Sequence, residues 1–480
     1  MNAATILRQL DGLGVKAAKL CADSRLVTRG DVFVALPGRR VDGRAFIADA
    51  VARGAAAVLY EEGAQISLDV PAIPVRGLSD LAGEIGDLVY GHPSERLWMA
   101  AVTGTNGKTS VTQWIAQAMA LLGRRCAVVG TLGCGFPGRL AAGPNTTPDA
   151  VSLQGMLAGF IKHGAVACAM EVSSIGLEEG RVNGVRFDVA VFTNLTRDHL
   201  DYHGSVEAYA AAKARLFGWN GVHTAVINLD DPFGLELAGR LAGRLRIIGY
   251  TMTDQTGGDR VLAAHDVTMG GTGLAFTVDG VRFEAPVVAR FNAANLMAVI
   301  GALLARDELV TRISAVLRQI SPPPGRMQAF GGDRAPLVVV DYAHTPDALE
   351  KALESLREAS VARGGKLICL FGCGGDRDPG KRPQMGAVAE RLADRIVLTS
   401  DNPRHEDPQA IIDDILAGMR TRPAVEPDRK SAIRKVLQEA DASDIVLLAG
   451  KGHETYQEIS DQRQPFSDLE YARQALELRS

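Results

Sequence analysis

The chain has 480 residues, more than one hydrophobic core usually organises, so two or three domains are expected. Its 46% hydrophobic and 22% charged residues describe an ordinary folded protein. A net charge of −4 gives no nucleic-acid footprint, and no apolar run approaches the ~20 residues needed to span a bilayer. The opening MNAATILRQLDGLGVKAAKL has no apolar core followed by a small-residue cleavage site and predicts no secretory signal. Six cysteines (21, 126, 134, 168, 369, 373) form no CxxC pair and read as free thiols in a reducing compartment.

In chain order, residues 1–95 hold short apolar runs, DVFVAL (Asp31–Leu36) and AAAVLY (Ala55–Tyr60), and end at the polar YGHPSERL. From Trp98, buried strands (LWMAAVTG, AVVGTL, AVACAMEV, FDVAVFTN, HTAVINLD) alternate with helical segments such as KTSVTQWIAQAMALL. That alternation predicts a parallel, doubly wound sheet. Between about 259 and 290 the pattern becomes period-two with Gly turns, which predicts an antiparallel extension, closed by the helix FNAANLMAVIGALLA. SPPPGR (Ser321–Arg326) is stiff and helix-breaking and marks the second boundary. Beyond it APLVVVDYAH, a helix from Thr345, KLICLFGCGG, RIVLTSDNP and DIVLLAGKG make a second α/β unit, giving domains 1–95, 96–325 and 326–480.

The segment AVTGTNGKTSVTQW (Ala101–Trp114) lies between a strand and a helix. It has Val102 where a phosphate loop usually has glycine, but it keeps the groups that the mechanism needs. Gly104, Thr105, Asn106 and Gly107 form the turn, and the helix N-terminus beginning Lys108–Thr109–Ser110 faces the anion. Lys108 suits the outer phosphates and Thr109 suits Mg²⁺. EVSS places Glu171 at the C-terminal end of a buried strand, where open α/β sheets bind ligands, and FTNLTRDHLDYHG supplies Asp198 and His199. Taken singly, Glu171 also suits a strand-end cap and His199 a loop histidine; beside the loop they read as Mg²⁺ ligands or water-holders around a triphosphate.

In order along the chain, GTNGKTS, EVSS, TNLTRDHLDYHG, DYAHTPDAL, FGCGGDRDPGKRP, DNPRHEDP and GKGHE resemble the Mur ligases of bacterial cell-wall synthesis. The resemblance implies three α/β domains: a small N-terminal domain, a central phosphate-loop doubly wound ATPase domain with an antiparallel extension, and a C-terminal Rossmann-like domain. It implies a cytoplasmic bacterial enzyme, monomeric and not inserted in a membrane. The enzyme would use ATP and Mg²⁺ to join UDP-N-acetylmuramoyl-L-Ala-D-Glu to meso-diaminopimelate. A carboxylate is a poor electrophile until phosphorylated, and bringing it against a triphosphate costs about 4 kcal/mol per charge pair at about 4 Å and an effective dielectric near 20. Cations must cancel that repulsion.

By resemblance, Thr109, Glu171, His199 and Lys213 hold magnesium, with Lys213 in YAAAKARLF converted by CO₂ to a carbamate. From the sequence alone Lys213 is only a helix lysine. Asn292, Asp341 and His344 resemble nucleotide-site residues, the last two closing over it across a SPPPGR hinge. Asp401, Asn402, Pro403 and Arg404 resemble the diaminopimelate-adding form, with Arg404 binding the distal carboxylate bidentately, Arg377 the other carboxylate, and Gly450 and Glu454 the ammonium end. An unpaired Arg404 would reject lysine by about 10⁴-fold. The UDP-substrate set is Ala22, Ser24, Arg39, Arg40, Val41, Asn145, Thr146, Thr147, Ser173, Glu179 and Arg181. Three positions depart from the family's usual residues: Ile175 for histidine, Glu179 for glutamine and Ala289 for glycine. The alternatives are a folylpolyglutamate-synthase-like ligase, which should lack DNPR and the first domain, and an NTPase switch, which should hydrolyse ATP without an amino acid.

Overall fold

The structure, a computed structural model, describes residues 1–38, 41–63, 66, 68–143, 145–270, 273–332 and 334–479. Arg39 and Arg40, expected in the UDP site, lie outside the described residues.

Four parallel strands, Leu20–Cys21, Val32–Ala35, Ala57–Glu61 and Ala72–Val75, form the first sheet in chain order. Its helix Leu78–Val89 packs on helix Ala150–Lys162 of the next unit. Gly86 lets the first helix lie close to Gln154 of the second, where a Cβ would sit 3.1 Å from Gln154 Cβ, and Gly83 lies against Asn183, where a Cβ would sit 1.9 Å from its O.

The second sheet has nine strands, in the order Arg260–Ala263, Arg246–Thr251, Thr224–Asn228, Val189–Phe192, Trp98–Thr103, Ala167–Glu171, Cys126–Gly130, Gly133–Phe136, Arg139–Ala141. The first seven are parallel, and each face is covered by its own apolar cluster. Covered faces explain why these strands read as continuous apolar runs. Val102 is a fully buried residue of the central strand, so the strand continues through the position where a phosphate loop usually turns.

The antiparallel extension expected between about 259 and 290 is present over residues 265–285. Arg260–Ala263 joins the parallel sheet, and His265–Gly270, Gly273–Val278 and Val281–Ala285 form a separate three-stranded sheet. The antiparallel additions to the central sheet itself are Gly133–Phe136 and Arg139–Ala141, too short and Gly-rich to show period-two alternation in the sequence.

The third sheet orders Gln328–Gly331, Leu337–Asp341, Ile445–Ala449, Leu367–Phe371, Arg395–Leu398 and Ala424–Val425, with only the first pair antiparallel. SPPPGR joins it to the second unit and is tied down at its start: Trp114 Nε1 and Gln117 Nε2 donate to Ser321 O at 3.0 and 3.2 Å. All six cysteines are free and buried. Among the described residues no helix is long and apolar enough to cross a membrane.

Candidate active site

Parallel strands put their C-terminal ends on one edge, and that edge of the central sheet carries the chemistry-bearing loops. Gly104 (φ +146°) and Gly107 (φ +87°) turn the chain from strand Trp98–Thr103 into helix Lys108–Leu121. A Cβ at Gly104 would meet Thr193 Oγ1 at 1.9 Å, and one at Gly107 would meet Asn295 Oδ1 at 2.3 Å. Only glycine allows both the conformation and the approach.

The loop is sewn to the segment after strand Val189–Phe192. Thr105 N–H donates to Asn194 O (2.8 Å), Asn106 N–H to Asn194 Oδ1 (2.9 Å), and Thr193 Oγ1 to Asn106 O (2.6 Å). The backbone donors of Thr105 and Asn106 are therefore committed within the protein. Those of Gly107, Lys108, Thr109 and Ser110, at the first turn of the helix, have no acceptor among the described residues. They form an anion cradle at the positive end of the helix.

Lys108 Nζ donates to Gly104 O and Thr105 O, both at 2.9 Å, which leaves its third N–H. Lys213, fully buried behind the loop, donates to the same Gly104 O at 2.9 Å and lies 4.1 Å from the Tyr209 ring centroid. Burial, reinforced by Lys108, holds the Lys213 amine well below the usual lysine range. Glu171 ends its strand with its carboxylate accepting from Thr131 N (2.8 Å) and Thr131 Oγ1 (3.0 Å). His199 stands exposed at the rim in a left-handed conformation (φ +52°).

Lys108, Glu171 and His199 share one cavity of about 610 Å³ with residues of the third unit, and Lys213 lies behind its wall. Asp341, His344 and Asn292 line it, as do Thr146 and Ser173. His344 Nδ1 lies 2.8 Å from Tyr342 O, so Nδ1 carries the proton and Nε2 is an acceptor. Burial, with Lys381 nearby, pushes this imidazole down to about 4, so it is neutral at physiological pH. Asn106 Nδ2 donates to Asp347 Oδ2 at 2.9 Å, closing the cavity between the two units.

Models of three families match successive parts of the chain: Mur ligase family, catalytic domain, over residues 17–119; Mur ligase middle domain, over 102–303; and Mur ligase, glutamate ligase domain, over 325–452. The chain belongs to the Mur ligase family. It is 53% identical to the UDP-N-acetylmuramoyl-L-alanyl-D-glutamate–2,6-diaminopimelate ligase of Ectopseudomonas mendocina, over 96% of each chain. It is 50% identical to the protein of that name in Chromobacterium violaceum, over 97% of this chain and 96% of that one. A solved structure of a ligase of the same name is 38% identical, with a TM-score of 0.65 and coverage of 96% and 95%. The Thermotoga maritima MurF ligase in complex with ADP is 19% identical with a TM-score of 0.71 over 97% and 99%, and shares the fold.

Two cavity residues of this Mur ligase escaped the sequence reading. Arg326, read only as part of a hinge, stacks 4.4 Å from the Tyr342 ring centroid and donates Nη2 to Thr109 Oγ1 at 3.2 Å. Its Nη1 is buried without a partner among the described residues, which is what a bound anion would satisfy. Asn295 donates to Asn292 Oδ1 at 2.9 Å one turn along a helix otherwise apolar. Two amides at i, i+3 on a buried helix face were the available signal.

The expected amino-acid residues gather at the C-terminal edge of the third sheet, after strands Leu367–Phe371, Arg395–Leu398 and Ile445–Ala449. Asn402 bridges Lys451 Nζ (2.9 Å, to its Oδ1) and Glu454 Oε2 (2.8 Å, from its Nδ2). Burial raises the Glu454 carboxyl against the pull of Lys451. Arg377 is exposed on the neighbouring loop, and Pro403 precedes a left-handed Arg404 (φ +49°). Gly450 faces Asp401, where a Cβ would lie 2.4 Å from Oδ2. Behind them the fully buried Arg429 pairs with Asp468 (2.7 Å) and donates to Ser400 O and Ala449 O, the residues just before Asp401 and Gly450.

The UDP-substrate set divides. Thr147 is buried and donates to Glu171 O at 3.0 Å, and Ser173 caps helix Ser174–Glu178. Asn145 is exposed. Arg181 donates Nη1 to Thr147 O (3.0 Å) and pairs with Glu179 (2.5 Å), so the acidic departure at Glu179 is neutralised in place. Ala22, Ser24 and Val41 follow strands Leu20–Cys21 and Val32–Ala35 at the C-terminal edge of the first sheet. Ile175 is half-buried in helix Ser174–Glu178. Ala289 has φ +79° and is fully buried, a left-handed alanine where the family usually has glycine.

Proposed function

We propose that the chain is a cytoplasmic, monomeric ATP-dependent amide ligase that adds meso-diaminopimelate to UDP-N-acetylmuramoyl-L-Ala-D-Glu, divided as residues 1–95 for the UDP end, 96–325 for ATP and 326–480 for the amino acid. The observation that carries this reading is one cavity joining the Gly107–Ser110 cradle, Lys108 and Glu171 to Asp341 and His344, in a chain about half identical, end to end, to ligases of that name.

The substrate carboxylate attacks the terminal phosphorus of ATP, the bond to ADP breaks, and an acyl phosphate forms. The amine then attacks the acyl carbon, a C–N bond forms, the amine loses a proton and phosphate leaves. The cradle and Lys108 hold phosphate oxygens, and Arg326 supplies the buried cation that two converging anions require. Asn292 and the neutral His344 would hold the nucleoside. Closure across the hinge keeps water from the acyl phosphate.

The donors suit Mg²⁺. Among the described residues no group of three or more His, Cys, Asp or Glu is placed to hold a metal ion by itself. The Thr109 hydroxyl, the Glu171 carboxylate and a carbamate on Lys213 would hold it, with His199 at the rim; bound, it neutralises phosphate charge. A depressed amine pKa favours the carbamate, because only the unprotonated amine adds to CO₂. Lys108, Lys213 and His199 are thus the catalytic residues of the proposal.

Mass spectrometry of a reaction with ATP, Mg²⁺, both substrates and bicarbonate tests it. The UDP-linked product must gain one diaminopimelate less water; unchanged substrate would contradict the reading.

A further inference from the structure

The hairpin Tyr456–Ile459 and Gln462–Pro465 follows the GKGHE segment and grips the DNPR loop at successive residues. Gln457 Nε2 donates to Asp401 O at 2.7 Å, Glu458 N–H to Asn402 Oδ1 at 2.9 Å, Arg404 N–H to Glu458 O at 3.0 Å, and Ser460 N–H to Arg404 O at 2.7 Å. This grip pairs Arg404 with Ile459 as an isolated parallel bridge and holds Arg404 in its left-handed conformation, which a non-glycine residue rarely adopts unsupported.

The side chain is fixed as firmly as the backbone. Arg404 Nε donates to Glu458 Oε2 at 2.9 Å, and Nη1 donates to Gly375 O at 2.7 Å. The guanidinium has five N–H bonds. These two contacts consume one on Nε and one on Nη1, and no group among the described residues bonds Nη2. The remaining Nη1 and Nη2 N–H bonds are the pair that a carboxylate engages side by side. A free arginine side chain samples many rotamers, and ordering it on each binding event would weaken recognition.

We propose that Glu458 is a positioning residue that sets amino-acid specificity. Its carboxylate locks the Arg404 guanidinium so that the Nη edge is presented to the distal carboxylate of the incoming amino acid. The inference rests on the reading of Arg404 given above. Glu458 also brings a negative charge beside that carboxylate, so its contribution is geometric. Arg463, with Nε 3.9 Å from Glu458 Oε1, offsets part of that charge.

The test is a steady-state comparison of wild type, Glu458→Ala, Glu458→Gln and Arg404→Ala, with KM and kcat measured for meso-diaminopimelate, L-lysine and ATP. Glu458→Ala should raise the KM for diaminopimelate by about tenfold or more, the scale of one charge-assisted hydrogen bond, with the KM for ATP unchanged. Glu458→Gln keeps an acceptor for Nε and should recover most of the loss. The preference for diaminopimelate over lysine should narrow in Glu458→Ala and return in Glu458→Gln. An unchanged diaminopimelate KM in Glu458→Ala, with Arg404→Ala inactive on diaminopimelate, would overturn the positioning role alone. Full diaminopimelate use by Arg404→Ala would overturn the Arg404 reading beneath it. Equal losses for ATP and diaminopimelate would reduce Glu458 to a general structural role and also refute the proposal.

Discussion

Lys108 and Lys213 donate to one carbonyl oxygen, that of Gly104, each at 2.9 Å. Two ammonium groups converging on one buried acceptor repel each other, and the one deeper in the protein gives up its proton first. That one is Lys213, in accord with the direction of its shift. In the proposed function this is the amine that CO₂ would convert to a carbamate, and a carbamate beside Lys108 would replace repulsion by attraction.

Lys213→Ala is therefore expected to lose nearly all ligase activity, and a short-chain carboxylic acid in the assay should restore part of it by supplying the missing anion. Titrating wild type and variant with the acid checks this: wild-type-like activity in Lys213→Ala would remove the carbamate role.

The same pair predicts a pH dependence of stability. In bicarbonate-free buffer the folded-state pKa of Lys213 lies below its unfolded value, so between the two the unfolded chain binds more protons and stability rises with pH. The penalty is greatest at and below the folded pKa and vanishes as pH passes the unfolded value. Lys213→Met abolishes this linkage. Denaturant unfolding should show the variant-minus-wild-type stability falling from pH 7 toward pH 10; a constant difference would mean that Lys213 stays charged.

Ala289 carries backbone strain that a glycine would relieve. A left-handed alanine costs about 1 kcal/mol relative to glycine, so Ala289→Gly should raise stability by roughly that amount. Urea midpoints with an unchanged slope check it, and a lower midpoint would show that the packing of the alanine methyl outweighs the strain.

The Arg429–Asp468 pair, fully buried, anchors both loops of the proposed amino-acid site. Arg429→Met strands a buried carboxylate and should cost about 3–5 kcal/mol, while Arg429→Met combined with Asp468→Leu should recover most of it. Thermal unfolding of the single and double variants distinguishes this from a loss of packing, which the second substitution would not repair.

Much of this was legible in the sequence. The parallel strands announced themselves because burial on both faces leaves continuous apolar runs, and Gly104, Lys108 and Thr109 stood where a strand meets a helix. The strands Gly133–Phe136 and Arg139–Ala141 were missed because short Gly-rich strands carry no period. Arg326 and Asn295 were missed because their environment is tertiary: one is brought to Thr109 by the hinge, the other to Gly107 by a helix distant in the chain. The departure at Glu179 shows in the sequence only as an acid in place of glutamine, because its pairing with Arg181 is a matter of side-chain geometry.

The most direct test of the central claim is phosphate release from ATP with UDP-N-acetylmuramoyl-L-Ala-D-Glu present, comparing meso-diaminopimelate, L-lysine and no amino acid. The ligase reading predicts release with diaminopimelate and close to none with lysine or with no addition. Release at the same rate in all three would contradict it and leave an uncoupled nucleotide hydrolase.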